Sequence, residues 1–313
     1  MNATAYAPCT LSNLGPGFDV LGMAVDGPCD SAEVSVTSGR GFTAELVEVT
    51  GAEGVTDLPP ASNENTATIA AQETLRLARF DGSARIKLRK GLPIGSGLGS
   101  SAASAAAAAY ATNLAIGSPL RKTQLIEACL EAERAASGRH GDNIAPALLG
   151  GLILVRRINP IDVVRLPVPS GLRIAVVMPR LTVMTRAARE AIPREVDLGI
   201  TIRQTADLGA LVAACYGGDS DLIARCMNDA IAEPARIPMI PGSADAIRVM
   251  REQGALGASI SGSGPTLFAW CRSEESAVSC AQGAVEALAS KGIEARSFTS
   301  PADCPGVREG DPA

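Results

Sequence analysis

The chain has 313 residues, of which 46% are hydrophobic, 19% charged and only 3% aromatic, and its formal net charge is −5. This length is enough to bury a large core and predicts two domains. The acidic balance disfavours nucleic-acid binding, and the low aromatic content removes the stacking platforms that single-strand binders use.

The first residues and the cysteines indicate the expected cellular environment. The opening MNATAYAPCTLSN has neither a basic region nor an apolar run of the secretory kind, so we expect a cytoplasmic protein. Eight cysteines occur without a C-x-x-C pair, and His140 is the only histidine. Neither a disulfide framework nor a zinc site is therefore indicated, and most cysteines are expected to be reduced core residues.

In the first half of the chain, periodicity and turn residues predict alternating strands and helices. A turn-rich stretch, APCTLSNLGPGFDVLG, precedes two predicted strands, AEVSV and FTAELVEV. A helix over 66–79 follows the asparagine-rich loop PPASNENTA. A half-buried strand at 84–89 then leads through a glycine loop to an alanine-rich helix. A further helix at 121–136 ends at SGRHGDNIAPALLGGLILV, a polar loop that returns to a buried strand.

The second half begins at RRINPIDVVRLPVPSG, whose prolines predict a domain junction. Beyond it the pattern predicts strand 173–178, helices near 185–191, 200–216, 219–232 and 243–253, strands 256–261 and 265–271, helix 274–290 and strand 293–298. This order fits an α+β domain whose antiparallel sheet is covered on one face. Residues 301–313 are expected to form a loose tail.

The stretch GLPIGSGLGSSAASAAAAAYATNLA, residues 91–115, has three interpretations. The simplest is a flexible linker before a helix. A membrane span is excluded, because the apolar run is shorter than about 20 residues and contains Ser104 and Tyr110. The third is an anion cradle: glycines lack Cβ, so backbone N–H groups can surround a phosphate, and the helix start adds partial positive charge.

This cradle belongs to neither of the two commonest phosphate loops. No Lys-Ser/Thr pair follows the last glycine, and the Rossmann spacing fails because position 100 is serine. Ser100 and Ser101 stand where the helix should begin, able to cap it or to ligate a metal. Glu131 and Glu133 lie near the end of the predicted helix 121–136. Either is able to reach Mg²⁺ at a phosphate, with Ser101 supplying a hydroxyl on the opposite side. For each glutamate, the alternative is a solvated helix face.

Three motifs carry a resemblance to a known family. They are APCTLSNLGPGFDVLG, the loop PIGSGLGSSAAS, and GASISGSGPTLFA at 257–269. In these motifs the chain resembles the GHMP kinases. HGDNIAPALLGG, TRAAREAIP and EPARIPMIPG are similar to segments particular to the homoserine kinases within that family. The resemblance runs in the same order from about residue 3 to 299.

The resemblance implies an α+β, two-domain GHMP kinase fold. Its N-terminal ATP-binding domain, like domain 2 of ribosomal protein S5, would span 1–165, and a ferredoxin-like C-terminal domain would span 166–300. The implied reaction is ATP-dependent phosphorylation of the L-homoserine side-chain hydroxyl, in threonine biosynthesis, with Mg²⁺ as cofactor. The implied partners are L-homoserine, ATP and a second copy of the chain in a homodimer, with no nucleic acid and no membrane.

The resemblance also implies positions for the site residues. The nucleotide site would comprise Asn65, Pro93, Gly95, Ser96, Gly97, Leu98, Gly99, Ser100, Ser101, Ala102, Gly262, Ser263 and Gly264. Mg²⁺ would be held by Ser101 and Glu133. The substrate site would comprise Asn13, Asp19, His140, Thr185, Arg189 and Arg236, and the catalytic residues would be Asp142 and Asn143.

These implied roles suit the chemistry of homoserine, a zwitterion with a terminal hydroxyl. Two arginines, Arg189 and Arg236, offer planar donors for the carboxylate. Asp19 and Asn13 would receive the ammonium. Asp142 and Asn143 would orient the hydroxyl toward the γ-phosphate, and Asp142 either accepts its proton or only orients it.

Two other functions stay open at the level of sequence. A kinase acting on mevalonate or shikimate would also use arginines for a carboxylate, but mevalonate has no ammonium for Asp19 and Asn13 to bind. A ligand-sensing protein that lost catalysis would keep the fold. The intact segments GSGLGSSAAS and HGDN argue against that loss.

Overall fold

The computed structural model describes residues 1–51, 65–136 and 138–312. The first part of the chain contains strands β1 (Asn2–Ser12), β2 (Leu21–Ser38), β3 (Phe42–Gly51), β4 (Gly82–Lys90), β5 (Leu152–Ile158) and β6 (Ile161–Leu166). Its helices are α1 (Thr66–Leu77), α2 (Ser100–Ala115), α3 (Lys122–Ala136) and α4 (Ile144–Leu149). Of the predicted asparagine-rich loop, residues 59–64 lie outside the described residues.

The second part of the chain contains five strands and six α-helices within the described residues. Its strands are β7 (Arg173–Pro179), β8 (Gly257–Ile260), β9 (Leu267–Cys271) and β10 (Ala295–Pro301), and a short strand β11 (Arg308–Glu309) follows. Its helices are α5 (Thr185–Glu190), α6 (Leu198–Gly217), α7 (Ser220–Cys226), α8 (Ala232–Arg236), α9 (Ser243–Glu252) and α10 (Glu274–Ala289).

The strands form two sheets. In the first, the order is β11-β1-β2-β4-β3, with β5 paired to β2 and β6 paired to β5. The second has the order β10-β7-β9-β8, and its neighbours are antiparallel. Counted along the chain this second order is 4-1-3-2, the ferredoxin-like arrangement. The predicted α+β class is thus confirmed. The chain changes sheets between Leu166 and Arg173, and the domain limits at residues 165 and 300 stay predictions.

Helix α2 explains the alanine-rich sequence after the glycine loop. It packs against α1 and α3 on one side and against β1 and β2 on the other. Eight of its alanines have no exposed surface: Ala102, Ala103, Ala105, Ala106, Ala107, Ala108, Ala109 and Ala111. Small side chains let a helix lie this close to a sheet, and dense packing all round leaves no room for larger ones. The linker interpretation is therefore wrong.

The two sheets share one hydrophobic core. Ile174, Val176, Phe268 and Trp270 from one face of the second sheet belong to the same buried cluster as the core of the first sheet. Helices α9 and α10 cover its other face. The predicted cover on one face is provided by these helices, and the structure shows that the other face is buried as well. A shared core limits relative movement of the parts that hold the site between them.

Several predicted elements are wrong for reasons that involve distant parts of the chain. The start of the chain is a long strand rather than a turn-rich stretch, because β1 pairs with β2 along its length, and the turn is confined to residues 13–20. The predicted helix 219–232 stops at Cys226. The Asp229 carboxylate accepts the N–H groups of Ile231 (2.9 Å) and Ala232 (2.8 Å) and so starts α8. Within the predicted junction, β6 forms a hairpin with β5.

The expected loose tail is wrong for residues 301–312. Strand β11 pairs with β1. The N–H of Val307 donates to the carbonyl of Ala147 (2.7 Å), and the N–H of Gly151 donates to the carbonyl of Cys304 (2.8 Å). The side chain of Val307 is fully buried. The tail thus secures the C-terminal end of α4, whose first residue follows two predicted catalytic positions.

No helix in the described parts of the chain combines the length and the apolar character needed to cross a bilayer.

Candidate active site

The glycine loop between β4 and α2 is held by its carbonyl groups. Gly95, Gly97 and Gly99 have φ of +68°, +79° and +65°, the left-handed region that glycine adopts without strain. The loop carbonyls accept hydrogen bonds from the following groups: Val183 N–H to Gly95 (3.4 Å), Thr266 N–H to Ser96 (3.2 Å), Ser261 hydroxyl to Gly97 (2.7 Å) and Thr10 N–H to Leu98 (3.0 Å). Within the described residues, no N–H of 95–99 donates to a protein acceptor.

Two loop glycines are needed for close packing against neighbouring segments. A Cβ on Gly97 would lie 2.8 Å from the carbonyl oxygens of Ser261 and Gly264. A Cβ on Gly99 would lie 2.0 Å from Thr10 Oγ1 and 2.9 Å from Asn143 Oδ1. The absent side chains at these two positions therefore make room for protein, whereas we expected them to make room for phosphate.

Helix α2 begins with an open N-terminus. Its N-cap is Gly99, in the left-handed region, and no side chain caps it. The expectation that Ser100 or Ser101 caps the helix was wrong, since these are its first two residues and their hydroxyls bond elsewhere. The uncapped first turn presents backbone donors and the positive end of the helix dipole to the loop. Nearby, the Ser96 hydroxyl is buried without a hydrogen-bond partner among the described residues.

The predicted Mg²⁺ ligands meet across α2 and α3. The Ser101 hydroxyl donates to Glu133 Oε2 at 2.9 Å, and Glu133 is 9% exposed. Glu131 instead forms ion pairs with Arg134 (2.9 Å) and Arg139 (3.6 Å). The described residues contain no cluster of three or more His, Cys, Asp or Glu side chains able to hold a metal. A hydroxyl and one carboxylate do fit Mg²⁺, which keeps waters and phosphate oxygens in its coordination shell.

Asn143 joins the glycine loop to the substrate side of the site. Its Oδ1 accepts the Thr10 hydroxyl (2.8 Å), and its Nδ2 donates to the Ser12 hydroxyl (3.2 Å). Thr10 and Ser12 point to one face of β1 because alternate strand residues share a face. Thr10 also binds Leu98 through its N–H. One strand therefore fixes both the loop and the asparagine.

Asp142 is a buried carboxyl group, 4% exposed. Burial first, and then the nearby Asp19 charge, raise its pKa to about 7. At neutral pH both protonation states are therefore populated. A buried carboxyl group with a strongly raised pKa is a candidate for a functional role.

Three predicted substrate residues form one cluster. The Arg189 guanidinium donates to both carboxylate oxygens of Asp19, from Nη1 at 2.7 Å and from Nη2 at 2.9 Å. The same Nη2 lies 2.9 Å from His140 Nε2. Asp19 belongs to the turn after β1, and Arg189 to α5. The cluster thus spans the two parts of the chain.

Arg236 lies next to this cluster and is 4% exposed. Its Nε donates to the Ala188 carbonyl (3.2 Å) and its Nη1 to the Gly262 carbonyl (2.8 Å). Both arginines contact the Phe18 ring, each 5.3 Å from the ring centroid. Burial lowers the pKa of Arg236, and the Arg189 charge lowers it further. The carboxyl groups whose charge acts on Arg236 in the opposite sense are Asp19, Asp229 and Asp142.

Asn13 has one unused group. Its Oδ1 accepts the N–H of Asp19 (3.2 Å), while Nδ2 is buried without a partner among the described residues. Asn13 and Asp19 have φ of +70° and +60°, conformations that asparagine and aspartate tolerate better than most residues. This orientation offers a substrate a hydrogen-bond donor.

The remaining predicted site residues differ in position and in exposure. Asn65 caps α1 by accepting the N–H groups of Ala67 (3.0 Å) and Thr68 (3.4 Å). Thr185 is the exposed first residue of α5, one turn before Arg189. Gly262, Ser263 and Gly264 lie in the loop after β8, which abuts the glycine loop. Pro93, Leu98 and Ala102 lie in or beside the glycine loop, and the Leu98 and Ala102 side chains are fully buried.

Sequence reasoning missed residues that support the site. Thr10 and Ser12 were missed because β1 was not predicted, and Phe18 because its contacts with Arg189 and Arg236 join it to distant parts of the chain. Ser261 and Thr266 lie in the recognised C-terminal motif, but their bonds to the loop are not visible in sequence. Lys90 had a signal: the alternation of β4 buries positions 84, 86, 88 and 90, which puts a lysine on the buried face.

Comparison with known proteins supports this picture. Models of the GHMP kinase N-terminal domain and of the GHMP kinase C-terminal region match residues 65–151 and 210–289. The homoserine kinase of Chlorobium phaeobacteroides strain BS1 is 40% identical over 283 residues, 88% of each chain. That of Arabidopsis thaliana is 40% identical over 293 residues, 92% of this chain and 79% of its own.

Solved structures agree. The crystal structure of homoserine kinase from Cytophaga hutchinsonii has a TM-score of 0.93 and 37% identity, covering 98% of this chain and 97% of its own. The crystal structure of L. major mevalonate kinase in complex with R-mevalonate shares the fold at 16% identity, with a TM-score of 0.69 and 97% of each chain covered. The chain therefore belongs to the GHMP kinases and, among them, to the homoserine kinases.

Proposed function

We propose that the protein transfers the γ-phosphoryl group of ATP to the side-chain hydroxyl of L-homoserine. The observation that carries this proposal is the position of Asn143 between the two halves of the site. Its side chain bonds to Thr10, which also binds the glycine loop, and it adjoins Asp142. The relatives named homoserine kinase, 40% identical over most of this chain, support the choice of alcohol.

The nucleotide phosphates would bind at the glycine loop. The free N–H groups of residues 95–99, the uncapped start of α2 and the buried Ser96 hydroxyl support this placement. The loop at 262–264 would contribute from the other side, and Asn65 would border the adenosine while capping α1. Preorganised donors of this kind stabilise the charge that phosphoryl transfer spreads over the equatorial oxygens.

Ser101 and Glu133 would hold Mg²⁺. Bound there, the cation would neutralise phosphate charge during transfer. Glu133 is favoured over Glu131, because Glu131 is engaged in ion pairs with Arg134 and Arg139.

Homoserine would separate Asp19 from Arg189 and bind to both residues. Its carboxylate would bind Arg189 and Arg236, and its ammonium would bind Asp19, with His140 and Thr185 bordering the site. Asn13 Oδ1 already accepts the Asp19 N–H, so its free Nδ2 suits a substrate oxygen better than the ammonium we expected. Each half of the zwitterion thus gains a charge-assisted partner.

The substrate hydroxyl would lie between Asp142 and Asn143. A pKa of about 7 is compatible with Asp142 either accepting the hydroxyl proton or orienting the hydroxyl. Positioning supplies most of the catalysis in phosphoryl transfer, so the fixed Asn143 is important in either case.

We propose that the enzyme acts in the cytoplasm, and the eight free cysteines of the described residues are compatible with that location. The homodimer stays a prediction.

Release of ADP tests the proposed reaction directly. In a screen of amino acids and hydroxy acids with ATP and Mg²⁺, L-homoserine should support far faster ADP formation than mevalonate or shikimate. A preference for mevalonate would replace the proposed substrate. Ligand binding without ADP release from any alcohol would favour the sensing function.

Replacing either arginine should impair homoserine binding selectively. Arg189→Ala and Arg236→Ala should each raise the homoserine KM by about 30-fold or more, because a charged partner of a partly buried carboxylate contributes about 2–5 kcal/mol. The ATP KM should stay within about threefold. Arg186→Ala is the matched control, since Arg186 lies on the same helix and pairs with Glu190 at the surface (3.1 Å). If the homoserine KM of Arg189→Ala and of Arg236→Ala equals that of Arg186→Ala and of the wild type, the substrate site is misplaced.

Asp142 should make folding stability depend on pH. Because its pKa is raised to about 7, the folded protein binds one more proton than the unfolded chain between about pH 4 and 7. Its contribution therefore destabilises the fold increasingly as pH rises through this interval, by at most about 4 kcal/mol above pH 7. Asp142→Asn should remove this slope.

Urea unfolding at pH 4.5, 6 and 8 measures the effect. The free energy of unfolding of Asp142→Asn, relative to wild type, should increase toward pH 8. Asp311→Asn, at an exposed carboxylate, should give a pH-independent difference near zero. Parallel pH curves for wild type and Asp142→Asn would mean that Asp142 ionises normally.

A further inference from the structure

Lys90 is a buried cation at the end of β4, immediately before the glycine loop. Its side chain is 2% exposed and forms an ion pair with Asp30 of β2, which is fully buried. Its Nζ also donates to the Ser100 hydroxyl (2.7 Å) and to the Ser104 hydroxyl (2.8 Å), and it lies 3.1 Å from the Ser100 carbonyl oxygen. The three protons of the ammonium group are thus directed at protein acceptors.

Asp30 completes a connection between the two ends of the loop. Its Oδ1 accepts the N–H groups of Gly91 (2.9 Å) and Leu92 (3.1 Å), at the entry to the loop. Its Oδ2 accepts the Ser104 hydroxyl (2.7 Å), one turn into α2. The pair therefore ties the strand end to the first turns of the helix on which the loop ends.

Stability alone is a weak reason for such a pair. Removing two charges from water costs free energy that their attraction only partly offsets, and buried ion pairs are often replaced by apolar residues without loss of stability. The charges of Lys90 and Asp30 largely cancel at the loop. What the pair supplies to the site is geometry.

We propose that Asp30 and Lys90 are positioning residues for the nucleotide. By holding Ser100, they orient the first turn of α2, including the Ser101 hydroxyl and the backbone donors. Neither side chain would touch ATP or homoserine. This inference rests on the proposal that the glycine loop holds the ATP phosphates.

The test is a charge-free pair, Lys90→Met combined with Asp30→Leu. The double variant should remain folded, as judged by circular dichroism and thermal unfolding, while kcat/KM for ATP falls by about 100-fold because the phosphate donors are misplaced. The homoserine Kd from calorimetry should stay within about threefold, since the arginine cluster is untouched. A merely structural role would change both ligands alike or neither.

The matched control uses the neighbouring surface pair. Lys87 and Glu33 lie on the same two strands, with Nζ and Oε1 3.2 Å apart and both side chains about half exposed. Lys87→Met combined with Glu33→Leu should leave both ligands unaffected. A loss of ATP kcat/KM in this control equal to that in the buried pair would overturn the proposal.

A second variant keeps the proposal testable if the double variant does not fold. Ser104→Ala removes hydrogen bonds to both members of the pair within a helix that is already mostly alanine. It should lower kcat/KM for ATP by about two- to tenfold, with an unchanged homoserine Kd. Wild-type kcat/KM for ATP in Ser104→Ala, and in the double variant where it folds, would overturn the proposal.

Gly97→Val separates this inference from the proposed nucleotide site. A Cβ at Gly97 would overlap two carbonyl oxygens, so this variant should lose ATP binding in calorimetry. Gly117→Val is its control, because Gly117 also has positive φ (+88°) but has no neighbour within 4 Å of an added Cβ. Normal ATP binding by folded Gly97→Val would contradict the nucleotide site itself. Loss in Gly97→Val but not in the Lys90 and Ser104 variants would contradict only the positioning role.

Discussion

The site depends on the way both sheets hold the carbonyl groups of one loop. Thr10 on β1 binds the Leu98 carbonyl, while Ser261 and Thr266 after β8 bind the carbonyls of Gly97 and Ser96. With its carbonyls bound to protein, the loop has N–H groups that donate to no described residue, and we propose that they bind the ATP phosphates. Segments next to both sheets thus hold this one loop. The shared hydrophobic core fixes the positions of these segments relative to each other.

The charges beside the loop suit the zwitterion that we propose as the substrate. Arg189 and Arg236 both contact the Phe18 ring, and Asp19 forms an ion pair with Arg189. Asp142 adds only part of a negative charge at neutral pH, because burial raises its pKa to about 7. A ligand with both a carboxylate and an ammonium would satisfy Arg236 without leaving Asp19 unpaired. A simple anion would compete with Asp19 for Arg189.

Local sequence predicted the elements whose periodicity is strong. The alternation in β4 and the uninterrupted pattern of α2 need no distant partner to be recognised, and the motif resemblance predicted Arg189, Asp19 and His140, which the fold brings together. The tail was missed because it is ordered by bonds to β1, Ala147 and Gly151, far away in sequence. The glycines illustrate the same limit. The sequence indicated that the loop requires glycines. It could not show the reason at Gly97, because the carbonyl oxygens that an added Cβ would meet lie more than 160 residues further along the chain.

The central claim is that Asp19 and the arginines recognise a zwitterion next to the phosphate loop. The most direct measurement compares kcat/KM for L-homoserine and for 4-hydroxybutyrate, which has the same hydroxyl and carboxylate but no ammonium. Wild-type enzyme should prefer homoserine by a factor on the order of 10³, because the analogue leaves the Asp19 carboxylate without its partner. Asp19→Asn should reduce this ratio while slowing homoserine itself. Similar kcat/KM values for the two alcohols in the wild type would contradict the claim.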